Sequence, residues 1–273
     1  MSVTDIGYIA DLLRLQDRDR YLTALLAPAA VRVDLMTLYA INAELARIRG
    51  AVSEAMIGRI KLQWWRDVVA GVYEGRGAPK GNPLTDGMAA IVDRHQLTRT
   101  HFDALIDTRE RDMSGAEDDG EPPTLEGIES YAEGTSVSVV RLALEILGER
   151  EGAAVAAGRH VGIAYALVGL LRAVAFEVRA GGVRTPILVA APASALVETT
   201  RQMAALAAGH MESALSFRGG VLRRAIPALL LNVMVAGYLK QLSACGSDPF
   251  HPRLDASGVG VWSLTWHWLC GRY

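Results

Sequence analysis

PAAVRVDLMTLYAINAELARI, residues 28–48, decides the fold. Val31, Leu35, Leu38, Tyr39, Leu45 and Ile48 recur at steps of three and four, the spacing of one buried face of an α-helix. The pattern repeats downstream. Residues 53–73 carry Met56, Ile60, Leu62, Trp65 and Val69 before Gly75 and Gly77 end the run, which predicts a second helix. Gly81, Asn82 and Pro83 mark a turn, and further helices are expected over 84–94 and 98–111. SGAEDDGEPPT, residues 114–124, has the composition of an exposed loop. Helical spacing resumes over 125–147 and 153–179, Gly181, Gly182 and Pro186 break it, and helices are expected again over 192–216 and 225–244. Upstream, residues 1–16 read as an N-terminal extension. Beyond Pro249 the chain is rich in tryptophan but shows no clear period. Strand signals are nearly absent, so the expected class is all-α, with residues 1–273 forming a single domain.

Composition narrows the function. Hydrophobic residues make up 51% of the chain and charged residues 21%, enough apolar surface for one large core. The formal net charge of −2 leaves no general excess of cations for a nucleic-acid backbone, so no nucleic-acid partner is expected. Cys245 and Cys270 stand alone, outside any CxxC pair, and are expected as reduced thiols. The first residues, with Asp5, Asp11, Asp17 and Asp19, lack the order of a secretory signal, which points to a cytoplasmic protein. The most apolar stretch, residues 161–178, contains Arg172 and Glu177 and falls short of the roughly 20 apolar residues of a membrane span. A buried core helix is the expectation there. No HExxH, GxSxG or phosphate-loop pattern occurs, so metalloprotease, hydrolase and nucleotide-binding readings have no support.

Three segments carry a resemblance: YLTALLAPAAVRVDLMTLYAINAELARIR (21–49), VSEAMIGRIKLQWWRD (52–67) and ESYAEGTSVSVVRLALEILG (129–148). Together they resemble the squalene/phytoene synthase family, and within it the branch that holds the mitochondrial complex I assembly factor and its bacterial counterparts. The likeness runs roughly from Asp17 to Trp268. It implies an isoprenoid (terpenoid) synthase-type helical bundle. It also implies one of two functions. The first is a non-catalytic factor for respiratory complex I assembly, or a lipid- or isoprenoid-binding protein, with a respiratory-complex subunit as partner and peripheral contact at the inner membrane. The second is an Mg2+-dependent prenyl diphosphate transferase joining two prenyl diphosphates head to head.

The enzymes of this family hold Mg2+ against a diphosphate with two aspartate-rich motifs on facing helices, because Mg2+ requires hard oxygen ligands and bridges carboxylate to phosphate. Aligned on Tyr39 and Ala40, the first motif's aspartates fall on Ala46, Arg47 and Gly50. Aligned on Leu171 and Arg172, the second motif's leading aspartate becomes Ala173 and the one four residues later becomes Glu177. Most of the acids are therefore gone, and neither a metal nor another cofactor is expected on the non-catalytic reading. The remaining acidic candidates are Glu44, Asp107 and Glu177. Glu44 reads either as a substitute ligand or as an ion-pair partner of Arg47 or Arg49. Asp107, with Glu110 and Asp112, reads either as a cavity acid or as part of a network with Arg109 and Arg111. Arginine in place of aspartate reverses the local charge, so Tyr39, Arg47, Tyr131 and Arg172 are the candidates for holding an anion without metal. Adjacent Trp64 and Trp65 lie about 100° apart on a helix, so one is expected inside and the other against a neighbour or partner.

Overall fold

The computed structural model describes residues 2–52, 54–113, 125–179, 193–254 and 259–273. The 114–124 segment, the break at residues 181–186 and the Glu177 side chain lie outside the described parts. Among these residues there is no strand. The helices are α1 (Val3–Gln16), α2 (Arg18–Leu25), α3 (Ala29–Arg47), α4 (Ala55–Tyr73), α5 (Pro83–His95), α6 (Arg99–Arg111), α7 (Leu125–Ala132), α8 (Ser138–Ile146), α9 (Ala153–Arg179), α10 (Ala193–Ser216), α11 (Ile226–Leu229), α12 (Leu231–Ala244) and α13 (Val261–Leu269). Local chemistry sets several starts. Ser2 and Asp5 exchange side-chain and backbone hydrogen bonds in a capping box, Asp17 accepts from the Arg20 N–H, and Asn82 caps α5 ahead of Pro83.

Helix α3 is the axis of the larger core. Leu35, Leu38, Tyr39, Ile41 and Leu45 are buried along it, and α1, α2, α5 and α8 pack around it. Within residues 1–16, read from sequence as an extension, Val3–Gln16 form a helix whose Ile9 and Leu13, four apart, sit in this core. A smaller cluster gathers Ile163, Leu167 and Leu171 of α9, Met203 of α10, and Val235 and Tyr238 of α12. The stretch Ala153–Ala173 is long and apolar enough to cross a membrane by length and composition, yet most of it is buried inside this fold. Trp65 is buried and Trp64 half-exposed, their rings edge to face at 5.1 Å.

Two buried carboxylates tie helices together. Asp34 of α3 accepts from Arg94 Nη1 and from His95 Nε2, each at 2.7 Å, at the end of α5. Glu145 of α8 accepts from the Thr98 N–H at 2.9 Å and from its hydroxyl, and so caps α6 from another helix. Between α7 and α8 the helix widens into a π-turn over Glu133–Val137, whose loosened carbonyls accept from Thr135 and Ser138 hydroxyls. Helix α9 crosses it at Gly162, where a Cβ would stand 2.8 Å from the Val137 Cα. No larger residue fits that crossing.

Helices α9 and α10 also meet through two imidazoles. His160 Nδ1 lies 2.9 Å from His210 Nδ1, and His210 Nε2 lies 3.2 Å from Glu129 on α7. At that separation only one Nδ1 can carry a proton. Burial, then His210 and Arg159, holds His160 below the ordinary imidazole range, with Glu133 and Glu129 opposing.

Leu13→Ala is expected to cost about 2–5 kcal/mol, the usual penalty for emptying a buried leucine site; urea denaturation would measure it, and an effect near zero would return α1 to the status of an appendage. A base with a depressed folded-state pKa protonates first in the unfolded chain, so His160 contributes stability above about pH 6.5 that is lost as pH falls. His101, lowered by burial against the pull of Glu145, acts in the same direction. The Tm should therefore drop from pH 7 to pH 5, and part of the drop should vanish in His160→Gln.

Candidate functional site

The polar centre of the molecule is built by α2. Arg20 is only 5% exposed, and its guanidinium sits between α3, α9 and the π-turn. Its Nη1 lies 2.7 Å from Asp17 Oδ2, its Nη2 donates to Ser136 Oγ at 3.2 Å, and its Cζ stands 4.7 Å from the Tyr165 ring centre and 5.8 Å from that of Tyr39. Burial opposes the charge, but Asp17 and the two aromatic rings outweigh it, so Arg20 stays protonated. The same burial raises the Tyr39 and Tyr165 hydroxyls well above their usual range. Tyr165 donates toward Asp17 and Asp19, and Asp19 pairs with Arg172 Nη1 at 2.8 Å. Arg20 and Arg172 thus flank two acids, Asp17 and Asp19, that share the Tyr165 hydroxyl between them.

Arg172 opens this chain to solvent through a cleft of about 400 Å³, lined also by Met234, Tyr238, Lys240 and Gln241. Tyr238 Oη and Gln241 Oε1 are buried without a hydrogen-bond partner among the described residues. Burial pushes the Tyr238 hydroxyl up to about 12, with Arg172 pulling the other way. The wall therefore offers two cations, a hydroxyl and an amide to an entering polar group, beside the Asp19 carboxylate that pairs with Arg172 and the apolar Met234 side chain. A separate cleft of about 480 Å³, lined by Leu25, Pro28, Arg32, Arg223 and Trp268, lacks this polar chain.

Of the residues singled out in sequence, the structure brings Tyr39 and Arg172 into one network. Arg47 lies on the surface, 55% exposed at its side chain, and binds Glu44 at 2.9 Å one turn earlier. Arg49 donates its Nε–H to the Asp112 carbonyl at 2.9 Å. Asp107 pairs with Arg66 of the LQWWRD segment, at 2.5 Å, and Glu110 shares that guanidinium at 2.6 Å, in place of the expected partners Arg109 and Arg111. Tyr131 belongs to a different cluster, accepting from Arg109 Nη1 at 2.6 Å and donating to Asp112 at 3.2 Å. Asp112 is raised by burial, with Arg109 as the main counterweight.

Asp17, Asp19, Arg20 and Tyr165 escaped the sequence reading. The alternating charges of DRDRY, residues 17–21, and a lone hydroxyl inside the apolar 161–168 run were the available signals. Among the described residues, those at the motif positions do not fit an Mg2+–diphosphate site. Ala46, Arg47, Gly50 and Ala173 supply no hard anionic oxygen, and the interior carboxylates Asp17 and Asp19 are each taken up by an arginine. Among the described residues, no group of three or more His, Cys, Asp or Glu converges on one point.

Comparison with known proteins agrees with this architecture. The chain is 32% identical to the NADH dehydrogenase (ubiquinone) complex I assembly factor 6 of Bos taurus over 261 residues, covering 91% of this chain and 77% of that protein. It is equally similar to the Homo sapiens protein of the same name, over 265 residues and with the same coverage. Its fold matches the crystal structure of the squalene synthase HpnC of Alicyclobacillus acidocaldarius, with a TM-score of 0.74 at 15% identity over 90% of this chain and 96% of that one. The family model for squalene/phytoene synthase matches residues 13–259. On these grounds, and on the helical architecture built around α3, the chain belongs to the squalene/phytoene synthase family.

Proposed function

We propose that residues 1–273 act as one unit, a non-catalytic member of the family that supports assembly of a respiratory NADH dehydrogenase complex. The observation that carries this reading is Arg20. The helices that bear the acidic motifs in the family's enzymes correspond to α3 and α9, and here a buried guanidinium stands between them. A fixed cation repels a second one, and in a poorly solvated interior that repulsion is weakly screened. The pairs that hold Arg20 also fill the interior with side chains. The named relatives at 32% identity support the assembly role.

Within this reading the cleft beside Arg172 is the place for a prenyl or lipid headgroup. Arg172 and Lys240 would meet its anionic oxygens, and Tyr238 would donate a hydrogen bond. Arg47 and Tyr131 do not line this cleft and would play no direct part.

Purified protein titrated with farnesyl diphosphate, followed by tryptophan fluorescence and by release of diphosphate, should show no Mg2+-dependent turnover. Release that requires Mg2+ and disappears in Glu177→Ala would restore the prenyltransferase. In a host deleted for this chain, NADH dehydrogenase assembly should fall and should be recovered by Glu177→Ala. Arg20→Met leaves Asp17 buried and unpaired, which should cost about 3–5 kcal/mol in urea denaturation. Adding Asp17→Asn should recover much of that loss.

A further inference from the structure

Helix α13 turns an apolar face away from the protein. Its Leu264 is buried, and Trp268 packs inward beneath Arg223, whose Cζ lies 5.5 Å from the indole centre. At about 100° per residue, Trp262, Trp266 and Leu269 fall within an arc of about 60° on the side opposite Leu264. They are 89%, 64% and 52% exposed.

The two described segments that carry and adjoin the ridge hold basic side chains, with Asp19 and Glu149 the nearest acids named on neighbouring elements. From Val259 to the last residue, Tyr273, the chain holds Arg272 and His267 and no acid. The neighbouring segment RGGVLRR, residues 218–224, also holds no acid and exposes Leu222. It is held against α13 by the Arg223–Trp268 contact, while Tyr273 donates to the Ala214 carbonyl at 3.0 Å just ahead of it. Arg224 is paired with Glu149. Arg218, Arg223 and Arg272 are exposed and have no carboxylate partner among the described residues. A chain with a net charge of −2 has thus gathered unpaired arginines beside its most exposed tryptophans.

We propose that α13 docks this protein on an anionic bilayer surface, with Trp262, Trp266 and Leu269 entering the boundary between headgroups and acyl chains and Arg218, Arg223 and Arg272 meeting lipid phosphates. Indole rings favour that boundary, being apolar in body and polar at the N–H. Nine residues are too few to span, so the helix lies in the plane of the interface. A second copy of the chain is a poor occupant, because a symmetric contact through the ridge would bring the two sets of arginines together. The inference is independent of the assembly role.

The test is flotation of the full chain with vesicles of phosphatidylcholine alone and of phosphatidylcholine mixed with phosphatidylglycerol. Binding is expected to the anionic vesicles, with a blue shift of tryptophan emission and weakening by salt. Trp262→Ser with Trp266→Ser should reduce that binding on the order of tenfold. Arg218→Glu with Arg272→Glu should weaken it and flatten its salt dependence. All four positions are exposed, so circular dichroism should be unchanged. Failure to bind either vesicle, binding unaffected by the tryptophan changes, or a dimer in light scattering that the tryptophan changes dissociate would each overturn the proposal.

Discussion

A guanidinium removed from water must be met on nearly every side, and Arg20 imposes that requirement on the centre of this fold. Its neighbours come from four elements: Asp17 at the start of α2, Tyr39 on α3, Ser136 in the π-turn and Tyr165 on α9. Moving any of these helices would expose an unpaired charge to an apolar interior, where the penalty exceeds that of losing an ordinary hydrogen bond. Ion pairs in such places contribute little net stability, but they discriminate strongly against misplaced alternatives. The π-turn has a reason here as well. By widening the helix at Glu133–Val137 it leaves Gly162 close against its backbone and leaves Ser136 in reach of α2.

The architecture shared with synthases therefore persists around a different chemistry. A bundle of helices needs apolar faces at the right period, and those are retained on α3, α8 and α9. Metal binding needs a few carboxylates with free lone pairs, and those can vanish without disturbing the bundle. Beside Arg20 the acids that remain, Asp17 and Asp19, lie at the start of α2, and each is committed to an arginine. This fold thus carries a buried cation built into the polypeptide, held between α3 and α9.

Most helices could be read from the chain because one face of each is apolar and the other polar, as on α4 and α5. The short α2, α1 and α13 could not. Helix α1 carries apolar residues all round, with Val3, Tyr8 and Leu15 exposed and Ile9 and Leu13 in the core, so no single face stands out. Helix α13 is apolar on its buried and exposed faces alike, so no period stands out. Local ion pairs such as Glu44–Arg47 were legible because they lie one turn apart on one helix. The Arg20–Tyr165 contact joins residues far apart in sequence, and no local pattern announces it. For the same reason Asp107 met Arg66 across two helices instead of the arginines beside it.

Glu145 also bears on how the molecule comes apart. It lies on α8, yet its carboxylate holds the N–H and hydroxyl of Thr98, the residue just ahead of α6, at the end where the helix dipole is positive, while Arg150 lies 3.4 Å from it. Helix α6 has thus borrowed its N-terminal cap from another part of the chain. When α8 leaves its place, α6 loses the anion that closes its first turn, and when α6 frays, a buried carboxylate loses its donors. The two helices are bound into one cooperative unit of local unfolding, whose amides open to solvent together.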